Sequence, residues 1–140
     1  MQIEKPKAPL AGLIYGEIVY WGVLVGSLIV IIGSVLAFMG DNFVSVSYWM
    51  TAVWKGETVE KVWQGATGAL PNGHWYLSCL KTGDGMTAFG ISLGVFAVAP
   101  ALFLAGAALY REKEWLYGSL AIFGGIIVMI GVLGLAPMPK

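Results

Sequence analysis

Three long apolar runs, at residues of about 13–39, 86–109 and 115–136, constrain this chain more than any other feature, and Glu17 is the one charged residue inside them. About 20 apolar residues at a helical rise of ~1.5 Å cross the ~30 Å hydrocarbon layer of a bilayer. Each run is long enough. Backbone N–H and C=O groups find no water at that depth, so a spanning segment must satisfy them within itself. The runs therefore predict three transmembrane helices. Composition agrees: 58% of residues are hydrophobic and 11% charged, against roughly a quarter charged in soluble domains. The mean hydropathy is +0.78. The expectation is an all-α, multi-pass cell-membrane protein, a single membrane domain over residues 1–140, in contact with the lipid bilayer.

The connections fit that reading. Lys5 and Lys7 ahead of an apolar run resemble the start of a signal peptide, but the run from Ile18 to Met39 outlasts the ~7–15 residues of such a core. A retained helix is expected. Tyr110–Arg111–Glu112–Lys113–Glu114 is short enough to turn the second and third spans into an antiparallel hairpin. Thr82–Gly83–Asp84–Gly85 offers a stop and an acidic cap before the second span. Pro137 and Pro139 are expected to end the third. Tyr15, Tyr20, Trp21, Trp115 and Tyr117 suit the headgroup belt.

Residues 40–85 separate the first two spans and hold four of the six tryptophans. So long a connection is seldom idle. Val46, Trp49, Met50, Val53 and Trp54 recur at helical spacing, and Val59, Val62, Trp63 and Ala66 repeat the pattern. After Pro71–Asn72–Gly73 comes a third apolar piece, Trp75 to Leu80. The pattern predicts short amphipathic helices lying on the membrane surface or on a partner. Trp49, Trp54, Trp63 and Trp75 are the candidate partner-binding residues of this loop. Orientation rests on positive charge: Lys5, Lys7, Arg111 and Lys113 lie on one side, Lys55, Lys61, Lys81 and Lys140 on the other. Lys55 and Lys61 are farthest from a span, which favours a cytoplasmic N-terminus and an outward-facing loop.

Small residues recur four apart, as in Gly12/Gly16, Gly22/Gly26, Gly90/Gly94 and Ala97/Ala101/Ala105. Such ridges let helix backbones touch where lipid supplies little hydrophobic drive. They serve either the chain's own packing or a neighbouring protein, and Gly90 and Gly94 are candidates for the second role.

Chemistry is sparse. One histidine (His74), one cysteine (Cys79) and no buried acid pair cannot assemble a nucleophile, base and acid. Gly83–Asp84–Gly85 lacks the lysine of a nucleotide loop. A haem held by two histidines of this chain is excluded; a His74–Met pair is the remaining possibility, against the plainer reading of His74 as a loop residue beside a turn. Glu17 lies near the start of its span, within reach of the interface. With eight basic and eight acidic residues, the chain has no basic stripe for nucleic acid. No enzyme activity, cofactor or metal is expected.

The stretch Gly90-Ile-Ser-Leu-Gly-Val-Phe-Ala-Val-Ala-Pro100, followed by Tyr110-Arg-Glu-Lys-Glu-Trp-Leu-Tyr117 and an apolar tail, resembles a bacterial and archaeal family of small membrane proteins known only as a domain of unknown function. The resemblance covers about the last 55 residues. It implies three spans, a glycine-containing second span with a central proline, and a charged turn ending in an aromatic. Many members carry an arginine soon after the proline; here stand Ala101, Leu102 and Phe103, so that arginine's role is missing. Members often neighbour a sulfite-exporter-like permease, which implies accessory work in transport.

Together these features lead to a non-catalytic accessory or structural subunit of a larger membrane complex, with a respiratory or electron-transfer assembly as the leading kind. The expected partners are other integral membrane subunits, in a hetero-oligomer. The alternative is an accessory or pore-forming component of a transporter, with Glu17 on its path.

Overall fold

The computed structural model describes residues 7–135, which are helical wherever they are regular; no strand occurs among them. Helices α1 (Leu10–Phe38), α2 (Val46–Trp54), α3 (Val59–Thr67), α4 (Gly83–Arg111) and α5 (Trp115–Val132) follow in order, with a single 3-10 turn at Trp75–Ser78 ahead of α4. Helices α1, α4 and α5 are long and apolar enough to cross a membrane. The short amphipathic helices of the loop are present as α2 and α3.

The helix ends differ from the hydropathy windows by about a turn, for local reasons. Helix α1 starts at Leu10 because Pro9 supplies the first acceptor, its carbonyl receiving Leu13 N–H at 3.2 Å. Helix α4 starts at Gly83, where Thr82 Oγ1 accepts Gly85 N–H at 3.2 Å as an N-cap. Asp84 was expected to be that cap. Its carboxylate instead turns to the loop, accepting Val44 N–H at 3.2 Å. Helix α5 closes at Val132, and Gly134 turns the chain at φ +67°. Pro137 and Pro139, Lys5 and Lys140 lie outside the described residues.

The described residues group into two compact units, one formed by residues 7–25 together with 93–135, the other by Gly26–Ser92. In the second, the later part of α1 meets the early part of α4 through glycines. A Cβ built on Gly33 would lie 2.5 Å from Thr87 Oγ1 and 2.7 Å from Thr87 N, and one on Gly90 2.7 Å from Gly26 O. Gly83 lies against the backbone of Ala37. Partners therefore pair 37 with 83, 33 with 87 and 26 with 90, falling in one segment as they rise in the other. The segments are antiparallel, and their backbones touch where side chains are missing.

In the first unit Gly22 lies against Ala97, and buried Ala11, Ala105 and Ala108 form a small core joined by Ile14, Tyr15 and Leu109. Helices α4 and α5 form the expected hairpin. Gly106 and Gly118 face each other, a Cβ on either standing 3.2 Å from the other's carbonyl oxygen. Tyr110 hydroxyl and Ser119 Oγ pair at 2.8 Å near the turn, and the Tyr110 ring meets the edge of Trp115. The buried apolar residues are almost all alanine, whereas Leu116, Leu120, Phe123 and Ile127 on α5 are more than half exposed. A chain that hides its small residues and shows its large ones outward is built for lipid rather than water.

Candidate functional site

The polar and aromatic groups of the described chain concentrate in the loop and in the helix ends it joins. Three contacts fix the loop's start there. Asn42 Nδ2 donates to Ala37 O at 3.0 Å, Gly83 N–H donates to Asp41 O at 2.6 Å, and Val44 N–H donates to Asp84. The last two link residues about 40 apart in sequence, so the loop folds back onto the α4 start rather than trailing away.

An aromatic cluster organises its far side. Phe43 stacks on Trp75 with centroids 5.9 Å apart, Trp63 meets Trp75 edge-on at 5.1 Å, and Tyr76 continues the cluster to Phe89 of α4. Such pairs add about 0.5–1.5 kcal/mol each beyond the area they bury. Helix α3 docks on α2 through Tyr48, whose hydroxyl lies over Gly65 and reaches Val62 O at 3.4 Å.

The structure thus sorts the six candidate binding residues. Trp63 and Trp75 are half-buried against one another, which commits them to the loop's own packing. Trp49 is 50% and Trp54 84% exposed, beside exposed Val46, Met50 and Val53. Trp49 also edges a cavity of about 150 Å³ between α2 and α3, with Val59, Val62 and Trp63. Gly90 of α4 is buried against α1 and serves the chain's own packing; among the described residues a Cβ on Gly94 would meet only Val23 Cα, at 4.0 Å. Along α1, among the described residues, Gly12 meets only Pro9, and Gly16 has nothing within 4 Å of a built Cβ.

Of the other singled-out residues, Glu17 is exposed and accepts the indole N–H of Trp21 at 2.8 Å, one turn along α1. His74 caps the 3-10 turn, its backbone N–H donating to Asn72 Oδ1 at 3.2 Å, with its ring near Tyr76. Cys79 is buried, its Sγ directed at Trp75 O. The His, Cys, Asp and Glu of the described residues form no group of three that could hold a metal ion.

One grouping escaped the sequence reading. Ser34, Asn42, Asp84 and Thr87 line a cavity of about 650 Å³ together with Phe38, Trp75 and Ile91. Asn42 Oδ1 is buried and has no hydrogen-bond partner among the described residues. In sequence these residues are scattered, two as isolated hydroxyls in apolar runs. The available signal was Asp84, a carboxylate placed where α4 had to begin.

A family model, that of a domain of unknown function, matches residues 11–135. An uncharacterized protein of Archaeoglobus fulgidus is 29% identical over 131 residues, covering 91% of this chain and 84% of the relative. No solved structure matches.

Proposed function

We propose, for a chain that belongs to this domain-of-unknown-function family, that it is a non-catalytic accessory or structural subunit of a larger membrane complex, docked through its loop. The observation that carries the reading is the uncovered α2 face of Trp49, Met50, Val53 and Trp54. Apolar area left in water costs about 25 cal/mol per Å², and exposed tryptophans beside a rigid aromatic cluster have the character of interface anchors. The open Gly12/Gly16 ridge supports it, because close helix packing is the attraction available to a second membrane protein in lipid.

The test is photo-crosslinking from position 54. With benzoylphenylalanine in place of Trp54, irradiation of native membranes should yield an adduct heavier by the mass of a protein. The same probe in place of Phe123 on α5, 62% exposed, should yield lipid adducts. Lipid adducts alone from position 54 would mean that the face rests on headgroups, and the docking role would fall.

The N-terminus is assigned to the cytoplasm in the same reading, since Arg111 and Lys113 sit at the ends of two spans. In a Cys79→Ala background, a cysteine replacing exposed Gln64 should react with an impermeant maleimide outside intact cells. One replacing Glu112 should react only after permeabilisation. The reverse pattern would invert the orientation.

A further inference from the structure

Asn72–Gly73, ahead of the 3-10 turn, is a reactive pair that the subunit reading leaves unused. An asparagine amide is a weak electrophile, and the backbone nitrogen of the next residue is the nucleophile nearest to it. Glycine at that next position leaves the nitrogen uncrowded by a side chain. Both residues are exposed and lie outside any helix. Among the described residues no hydrogen bond occupies Gly73 N–H. Asn72 Oδ1 accepts His74 N–H at 3.2 Å, an Asx turn. That bond closes a ring containing both Asn72 Cγ and the Gly73 nitrogen. It also sets an N–H donor on the oxygen that takes up charge when the amide carbon is attacked, the role such donors play in acyl transfer.

Two comparisons within the chain show that the surroundings, and not the residue type, select this position. Asn42 is followed by Phe43, gives its Nδ2 to Ala37 O at 3.0 Å, and has its Oδ1 buried. Asp84–Gly85 is also a carbonyl side chain followed by glycine, but Gly85 is buried in α4 and its N–H donates to Thr82 Oγ1 at 3.2 Å. We infer that Asn72 is a site of spontaneous deamidation, with water as the co-reactant, and that its isoaspartyl product loosens the aromatic cluster around Trp75. In the first step a bond forms between Gly73 N and Asn72 Cγ, the Cγ–Nδ2 bond breaks, and ammonia leaves with the Gly73 proton. Water then opens the cyclic imide. Addition at Cγ gives aspartate with the backbone as before. Addition at the main-chain carbonyl carbon gives isoaspartate, with the chain running through Cβ and Cγ. Either product carries OH in place of NH2 and ionises to a carboxylate. In the isoaspartyl form the carbonyl that accepted Trp75 N–H at 3.2 Å leaves the main chain and becomes that carboxylate. Trp75 holds Phe43 at 5.9 Å and Trp63 at 5.1 Å between ring centroids, so respacing this turn releases the centre of the cluster.

The experiment ages the full chain in mild detergent and mildly alkaline buffer, beside a synthetic peptide of residues 70–81. Trypsin then releases residues 62–81, in which Asn72 is the single asparagine, and mass spectrometry after chromatographic separation of the isomers follows the amide. The folded chain should convert within about tenfold of the peptide's rate, because an exposed site needs no local unfolding to react. Asn42 should remain an amide. As isoaspartate accumulates, the near-ultraviolet circular dichroism of the tryptophans should fall. Asn72→Ser keeps a hydroxyl acceptor for His74 N–H and has no amide, so it should hold its signal over the same period. Slower conversion of the folded chain than that, or conversion of Asn42 at an equal rate, would overturn the site. A tryptophan signal that survives full conversion, or falls equally in Asn72→Ser, would overturn its effect on the cluster.

Discussion

Gly90→Ala is expected to destabilise the folded chain by about 1–3 kcal/mol, the range for forcing extra volume into a closed interface. The added methyl would stand 2.7 Å from Gly26 O, 2.9 Å from Val30 Cγ2 and 3.0 Å from Val30 N. Two of those three atoms are backbone. No rotamer change relieves them, so α1 and α4 would have to part locally. Among the described residues, Gly94→Ala, one turn along α4, meets only Val23 Cα at 4.0 Å, and Gly16→Ala meets nothing within 4 Å. Both should be neutral or slightly stabilising, since alanine is the better helix former by up to about 1 kcal/mol. Unfolding in mixed micelles, followed by circular dichroism against increasing sodium dodecyl sulfate, reads all three. A loss for Gly94→Ala equal to that for Gly90→Ala would mean the register of 26 with 90 is misplaced.

Removing the exposed tryptophans should have an effect of similar size on assembly. Truncating an interface tryptophan commonly costs about 2 kcal/mol or more, roughly a thirtyfold loss of affinity. Trp49→Ala with Trp54→Ala should therefore free this chain from its partners at concentrations where the wild type stays bound. The two residues are not equivalent. Trp49 also edges the cavity between α2 and α3, so its removal loosens the loop, while Trp54 projects from the last position of α2 at 84% exposure. Trp54→Ala alone should weaken assembly and leave helix content unchanged. Thermal melting of the variants, monitored alongside partner retention, separates the two effects.

The spans were legible because hydropathy and length are properties of contiguous sequence. So were α2 and α3, whose apolar residues return at the helical period. What the period could not give was which side of each short helix meets the rest of the loop. Trp49, Trp54, Trp63 and Trp75 look alike in sequence, yet Trp63 and Trp75 close on one another while Trp54 stays outside, because that choice depends on a fold-back pinned by Asp41, Val44 and Asp84. The small-residue ridges show the same limit. Gly90 and Gly94 are four apart and indistinguishable by spacing, but the crossing of α1 brings backbone against the first and only a distant Cα to the second. Asn42 and the cavity around it needed residues from both helix ends, a meeting that no local pattern records.

Whether this chain is a subunit is decided most directly by native mass spectrometry of the wild-type protein, released from its own membranes in mild detergent. The chain should leave the membrane bound to at least one different integral membrane protein, and the Trp49→Ala/Trp54→Ala variant should leave without it. A wild-type chain that emerges alone, or a double variant that keeps every companion, would contradict the assignment of the loop as a docking surface.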